Sequence, residues 1–157
     1  MTTITELSDA WKAQVFDHQT VEAITTKSLM YEVLDQSEVE IGDISFRTQI
    51  NFFECLISKS YRFPLIGNGM IAENLYTVDV RYTVEKDTTG AAYIQAQTAL
   101  ETVLERVRVG LGSDWAGLVD FWTLQEAAPT IIQRTVADTD CWSWILNFTA
   151  NFRSLSS

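Results

Sequence analysis

One segment of the sequence alternates strictly between apolar and polar side chains from Tyr76 to Glu85. The residues on one parity, Tyr76 to Val84, are aromatic or β-branched, and those on the other parity, Thr77 to Glu85, are polar or charged. Because successive side chains of a strand point to opposite faces of a sheet, the pattern predicts a strand over 75–87 with one face in the core. The polar face favours an antiparallel sheet that helices cover on one side only.

Two segments before this strand also have β character. Residues 46–63 alternate, and their parity changes at the Phe52–Phe53 doublet, which is typical of a β-bulge. Pro64 ends that segment, because proline cannot donate to a sheet ladder. Residues 24–33 are rich in β-branched and apolar side chains, so we expect a further strand there.

The C-terminal part of the sequence predicts a β-hairpin. Residues 130–152 have strand, turn and strand character, with the loop at 138–140. Residues 113–128, just before it, fit a helical face and a short strand equally well, so both remain open. The second strand of the hairpin has two contrasting rows. One row is apolar (Trp142, Trp144, Leu146, Phe148, Ala150, Phe152), and the other is mostly polar and uncharged (Cys141, Ser143, Ile145, Asn147, Thr149, Asn151).

Two segments have helical spacing instead. Thr3 begins a capping box, and Leu7 and Trp11 follow it four residues apart, which predicts a surface helix over 4–17. A longer helix is predicted over 90–110, with glycines at its C-terminal end. Its apolar stripe consists of Tyr93, Ala96, Leu100, Leu104, Val107 and Leu111.

These elements predict a single α+β domain over residues 1–157. The simplest arrangement is a two-layer sandwich: a mostly antiparallel sheet with the long helix and the short N-terminal helix packed on one face. The apolar row of the last strand then lies under the long helix. The polar row on the opposite face is the better candidate for a subunit interface, which would comprise Ser143, Ile145, Asn147, Thr149 and Asn151.

The charge and the cysteines narrow the classes of function. The sequence has 21 acidic and 11 basic residues, a formal net charge of −10 that disfavours binding to phosphate backbones. Cys55 and Cys141 lie outside any metal-binding spacing, so we expect two free, buried thiols in a reducing compartment. Neither a signal peptide nor a membrane-spanning run is found, and we expect a soluble protein made in a cytoplasm.

The sequence contains no catalytic, cofactor-binding or metal-binding motif, so we expect no enzyme, no cofactor and no metal site. The single histidine, His18, is expected at the end of the first helix rather than in a site. Glu54 lies among apolar neighbours, and two positions remain open for its carboxylate. It either faces solvent on an amphipathic strand or is buried in a pocket or a subunit interface.

The order of these elements resembles that of the tail terminator, or tail-completion, proteins of tailed bacteriophages. The resemblance covers most of the chain and concerns the order and length of elements. The acidic stretch 32–43 and the segment "PLIGNGM" depart from the family's pattern. The segments that carry the resemblance are "ITELSDAWKAQVF", "ISFRTQINFFECLISKSYRF" with "NLYTVDVRYTVEKD", "AAYIQAQTALETVLERVRV", "PTIIQRTVAD" and "WSWILNFTANF".

The resemblance implies a non-enzymatic virion protein, whose subunits form a ring, often a hexamer, that caps the tail tube and joins it to the head. The implied partners are other copies of the chain and other tail or neck proteins, with DNA only passing through the lumen. A negative lumen suits such passage. An open sheet with edge strands also gains from cyclic packing against neighbours.

Two other classes of function remain open. A small-molecule-binding or enzymatic α+β domain would curve its sheet around a cavity lined by aromatic side chains. An adaptor or inhibitor would act through the edge of its sheet. The aromatic residues available to line a cavity are Tyr76, Tyr82, Trp142, Trp144 and Phe148.

Overall fold

The computed structural model describes residues 3–33, 48–61, 71–110, 121–124 and 130–155. They form the predicted α+β fold, with a mostly antiparallel sheet, a long helix and a short N-terminal helix. All described strands belong to one sheet. We call the sheet face that packs against the helices the front face, and the opposite one the back face.

The helices begin near the predicted positions. The Thr3 side chain accepts a hydrogen bond from the backbone N–H of Glu6 at 3.1 Å, which caps the first turn. The Asp87 carboxylate accepts one from the backbone N–H of Gly90 at 3.0 Å, just before the long helix. The helical elements are α1 (Ile4–Trp11), a π-helical turn (Lys12–Phe16), α2 (Gln19–Glu22) and α3 (Ala91–Gly110).

The strands form the order β1-β2-β3-β6-β4, and β5 also pairs with β6. Only β1 and β2 are parallel, and every other described pair is antiparallel. β5 pairs with the first part of β6 and β4 with a later part, so both flank the same edge of β6. The strands are β1 (Ser28–Val33), β2 (Phe52–Tyr61), β3 (Ile71–Glu85), β4 (Phe121–Leu124), β5 (Ile131–Val136) and β6 (Thr139–Leu155).

The β3–β6 ladder is the centre of the fold. It runs from Ile71 opposite Leu155 to Glu85 opposite Cys141. A strand of 15 residues spans roughly 50 Å, whereas a 20-residue helix spans roughly 30 Å. The ladder is therefore longer than the helix that packs on it.

The core lies between the front face and the helices, as the parity of the strands predicts. Tyr76, Val78, Val80 and Tyr82 are all fully buried, and Val84 is 8 % exposed. In β6 the apolar row is buried from Trp144 to Ala150, and Trp142 is half-buried at the end of the core. The core residues of α3 are Ala92, Ala96, Ala99, Leu100, Val103 and Val107.

The segment before β2 differs from the prediction. β2 begins at Phe52 with an unbroken register, so the bulge predicted at the Phe52–Phe53 doublet is wrong. Residues 48–51 instead form a turn, in which Thr48 has φ 55° and Asn51 has φ 64°. The backbone N–H of Asn51 donates to the carbonyl of Thr83 at 2.7 Å, and the turn is held against β3 in this way.

Two boundaries are also corrected, and one open segment is assigned in part. β1 begins at Ser28, four residues later than predicted. The turn of the C-terminal hairpin lies at Ala137–Asp138, one residue before the predicted loop, and both residues have positive φ, as in a type I′ turn. Residues 121–124 of the open segment are the strand β4, and the rest of 113–128 lies outside the described residues.

Candidate interaction face

The predicted interface row of β6 lies on the back face of the sheet, away from the helices. Ser143 is fully buried, and its hydroxyl shares a hydrogen bond of 3.0 Å with that of Thr83 on β3. Thr149 is 8 % exposed, whereas Ile145 and Asn147 are partly exposed. The backbone of Asn151 pairs with Leu75, and its side chain lies outside the described residues. The structure thus leaves the middle of the row accessible and commits Ser143 to a contact within the chain.

The neighbouring strand adds charge to this face. The register places Ile145 opposite Arg81, and Asn147 opposite Asp79. Arg81 is in turn opposite Glu54 on β2. The back face therefore combines an uncharged row on β6 with a charged row on β3, a combination that β6 alone does not reveal.

Glu54 is fully buried on the back face, which decides between the two positions that the sequence leaves open. Its carboxylate accepts a hydrogen bond from the Tyr31 hydroxyl at 2.9 Å. It also accepts the backbone N–H groups of Thr48 at 3.2 Å and Gln49 at 2.9 Å. A buried carboxylate needs such donors, because they replace the water that it loses on folding.

Arg81 joins the same cluster from β3. Its guanidinium donates to the Thr48 hydroxyl at 3.0 Å, so Glu54 and Arg81 hold the same turn. Burial lowers the pKa of Arg81, and the positive charge of Arg134 lowers it further, while Glu54 and Asp79 oppose both effects. The cluster contains a carboxylate and a guanidinium, and it connects β1, β2, β3 and the turn at residues 48–51.

Ile132 on β5 is a residue of this face that the sequence analysis misses. It lies opposite Ser143, on the back-face parity, and is 42 % exposed. Its face depends on the hairpin register, which the position of the Ala137–Asp138 turn sets. Once the turn is placed at Ala137–Asp138, the pairing of β5 with β6 assigns Ile132 to the back face.

Four of the aromatic side chains that could line a cavity, Tyr76, Tyr82, Trp144 and Phe148, are buried on the front face, and Trp142 is half-buried at its end. The rings of Phe53 and Tyr82 stack with centroids 4.7 Å apart, and those of Tyr82 and Trp144 lie 6.0 Å apart. Trp11 of α1 packs against Phe148 at 5.5 Å. These rings therefore fill the core by packing against each other and the helices.

The single histidine lies at the start of α2. His18 follows the π-helical turn and caps α2, with its Nδ1 accepting the backbone N–H of Thr20 at 3.3 Å. It borders an open groove of about 510 Å³ between α2 and α3, which Glu101 and Arg106 also line. Within the described ranges, no three His, Cys, Asp or Glu side chains are grouped closely enough to hold a metal ion.

The two cysteines are free and buried, as predicted. Burial raises the pKa of the Cys55 thiol well above its usual value, and the charge of Asp79 raises it further. The described helices do not include one with the length and apolarity needed to cross a bilayer. Comparison with models of known protein families finds no match, and comparison with curated protein sequences finds no significant similarity to this chain.

Proposed function

We propose that this chain is a structural subunit of a phage virion, a tail terminator-like protein that forms a ring on the tail tube and joins it to the head. Its partners would be further copies of itself and other tail or neck proteins, with DNA passing through the lumen. The observation that carries the proposal is the element order on a sheet whose described helices pack on the front face: N-terminal helices, strand, hairpin, long helix, short strand and closing hairpin.

The back face supports self-association. Ile145 and Ile132 are two aliphatic side chains with solvent exposure on a face whose β6 row is otherwise uncharged and polar. A contact that buries both would remove apolar surface from water, which is the main favourable term in association. We therefore assign the subunit contact to the back face around Ile145, with Ile132 as its extension on β5.

The negative net charge of the chain suits a ring through which DNA passes. Each copy carries a formal net charge of −10, so a ring of copies would surround its lumen with a strongly negative field. DNA could pass through such a lumen without adhering to it. The alternative of a ligand-binding or enzymatic domain is weaker, because most of the rings it would use are buried in the hydrophobic core.

The test measures the mass of the protein in solution by size-exclusion chromatography with light scattering, followed by negative-stain microscopy of the peak. We expect a ring of several copies. Ile132→Asp should lower the mass toward that of a monomer without unfolding the protein, since Ile132 is 42 % exposed. Ile145→Asp should do the same, with circular dichroism as the check on folding.

The matched control is Ile94→Asp on α3, which changes an exposed isoleucine on the helical side of the molecule. This variant should keep the ring. A wild-type protein that stays monomeric at high concentration and in the presence of isolated tail tubes would overturn the proposal. So would a ring that survives both back-face substitutions.

A further inference from the structure

A second exposed apolar surface lies on the helical side of the molecule, at the start of α3. Tyr93 is 40 % exposed and Ile94 is 64 % exposed in the first turn of this helix. The Tyr93 ring contacts Trp142 of β6 edge-on, with centroids 5.0 Å apart and planes at 81°. Trp142 is itself half-buried. We call Tyr93, Ile94 and Trp142 the aromatic patch.

Carboxylates line a groove of about 490 Å³ at the same end of the molecule. The backbone N–H of Lys86 donates to the carbonyl of Asp140 at 2.9 Å, which brings the connection between β3 and α3 against the C-terminal hairpin. Among the residues that the structure describes, four carboxylates line the groove and form what we call the acidic rim, and Lys86 lines the groove with them. The acidic rim consists of Glu85, Asp87, Asp138 and Asp140.

Lys86 connects the aromatic patch and the acidic rim. Its ammonium lies 4.2 Å from the centroid of the Trp142 ring, which is a cation–π contact. The Trp142 ring therefore already holds one cation within the chain, at the border of the acidic rim. A basic side chain of another protein would find the same two attractive features at this place.

We propose that the aromatic patch and the acidic rim together dock a segment of another protein that carries basic side chains next to an apolar one. The apolar side chain would cover Tyr93 and Ile94, and the basic ones would face the acidic rim. Trp and Tyr are residue types that often contribute most of the energy at protein interfaces. The charge of the rim argues for a basic partner, because a second copy of this chain has a net charge of −10 and an anionic membrane surface is also repelled.

The aromatic patch lies on the helical side of the molecule, whereas Ile132 and Ile145 lie on the back face, so the inference does not depend on a ring. The test uses protein labelled at the isoleucine δ1 methyl groups, which can be followed by NMR in a monomer or in a ring. The probe is a short synthetic peptide of arginine and leucine, and its counterpart has glutamate in place of arginine. The basic peptide should shift the Ile94 methyl signal in a saturable manner, and added salt should weaken its binding.

The signals of Ile132 and Ile145 act as internal controls, because both residues lie on the back face. They should not move with the basic peptide. Equal shifts with the acidic peptide, shifts at Ile132 as large as at Ile94, or no shift at any concentration would each overturn the proposal. An Ile94 signal that moves with protein concentration alone would show that a second copy covers the patch, and would overturn it too.

Three substitutions test separately how the aromatic patch, the acidic rim and Lys86 contribute to peptide binding. Tyr93→Ala should weaken binding of the basic peptide about tenfold. Asp138→Asn should weaken it about two- to fivefold, since the rim loses one charge and asparagine keeps the left-handed backbone of that turn. Lys86→Ala should strengthen binding about two- to fivefold, because the peptide then meets a free Trp142 ring and a more negative groove. Unchanged binding in both charge variants would contradict the electrostatic part of the proposal.

Discussion

The hydroxyl of Tyr31 on β1 donates a hydrogen bond to the buried carboxylate of Glu54 on β2, with 2.9 Å between the two oxygens. The same carboxylate accepts two backbone N–H groups from the turn that precedes its own strand. One side chain therefore joins the parallel edge of the sheet to the segment that leads into it. Because Tyr31 and Thr48 are half-buried, loss of this acceptor would leave their donors poorly hydrated.

Replacement of Glu54 should destabilise the protein far more than replacement of an exposed glutamate. Glu54→Gln retains the shape but places an amide nitrogen near a backbone donor, so we expect a loss of about 1–3 kcal/mol in the free energy of unfolding. Urea denaturation followed by circular dichroism measures it. Glu101→Gln on the exposed side of α3 is the matched control and should change stability by less than about 0.5 kcal/mol. Equal effects of the two substitutions would contradict the assignment.

The burial of Glu54 is a feature that the local sequence pattern leaves open. The strand from Tyr76 to Val84 and the apolar row of β6 from Trp144 to Ala150 are confirmed, because the period of two is a local property of a strand. Burial of Glu54 requires a turn at residues 48–51 with two residues in the left-handed region, and the alternation around Phe52 concealed that turn. The face of Ile132 depends on a one-residue shift of the hairpin turn, which moves every side chain of a strand to the other face.

The same reasoning applies to the candidate interface. Ser143, Ile145, Asn147 and Thr149 share one face, because they alternate along one strand. The exposure of each residue depends on partners that are distant in sequence, such as Thr83 for Ser143. Those partners cannot be identified from the local pattern. The role of the face in subunit contact stays a prediction.

The Thr83–Ser143 pair should behave as a coupled buried unit. Ser143→Ala or Thr83→Val alone leaves one buried hydroxyl without its partner, and we expect each to cost about 1–2 kcal/mol. The double variant should cost less than the sum of the two, with a coupling energy of about 1 kcal/mol. A double-mutant cycle by urea denaturation measures it. If Ser143→Ala instead lowers the mass of the oligomer and leaves the stability unchanged, Ser143 acts between subunits.

The hairpin turn offers a stabilising substitution. Ala137 has φ 47°, a left-handed conformation that costs an L-residue such as alanine roughly 1 kcal/mol, whereas asparagine adopts it readily. Ala137→Asn should therefore raise the free energy of unfolding by about 0.5–1 kcal/mol, measured by thermal or urea denaturation. Asp138→Asn is the control in the same turn and should be nearly neutral, because aspartate already suits φ 66°. Destabilisation by Ala137→Asn would show that the turn is not of this type.

Alkaline pH should weaken the fold through its buried thiol. Desolvation raises the pKa of Cys55 well above its usual value, and Asp79 adds to the effect, so the folded state holds the proton more tightly than the unfolded chain does. A raised pKa contributes stability that is fully present below the unfolded value of about 8.5 and is lost as pH rises toward the folded value. Burial of Cys141 and of Tyr82 raises their pKa values and acts in the same direction.

The free energy of unfolding should accordingly fall above about pH 8.5, with a contribution from Cys55 of up to about 1.4 kcal/mol per pH unit. Urea denaturation from neutral to alkaline pH measures the slope, and Cys55→Ala should make it shallower. Val33→Ala is the control, since it removes buried methyl groups and no titrating group: it should lower stability by a similar amount at every pH. If Cys55→Ala leaves the slope of the wild type unchanged, the thiol is not the group that couples proton release to unfolding.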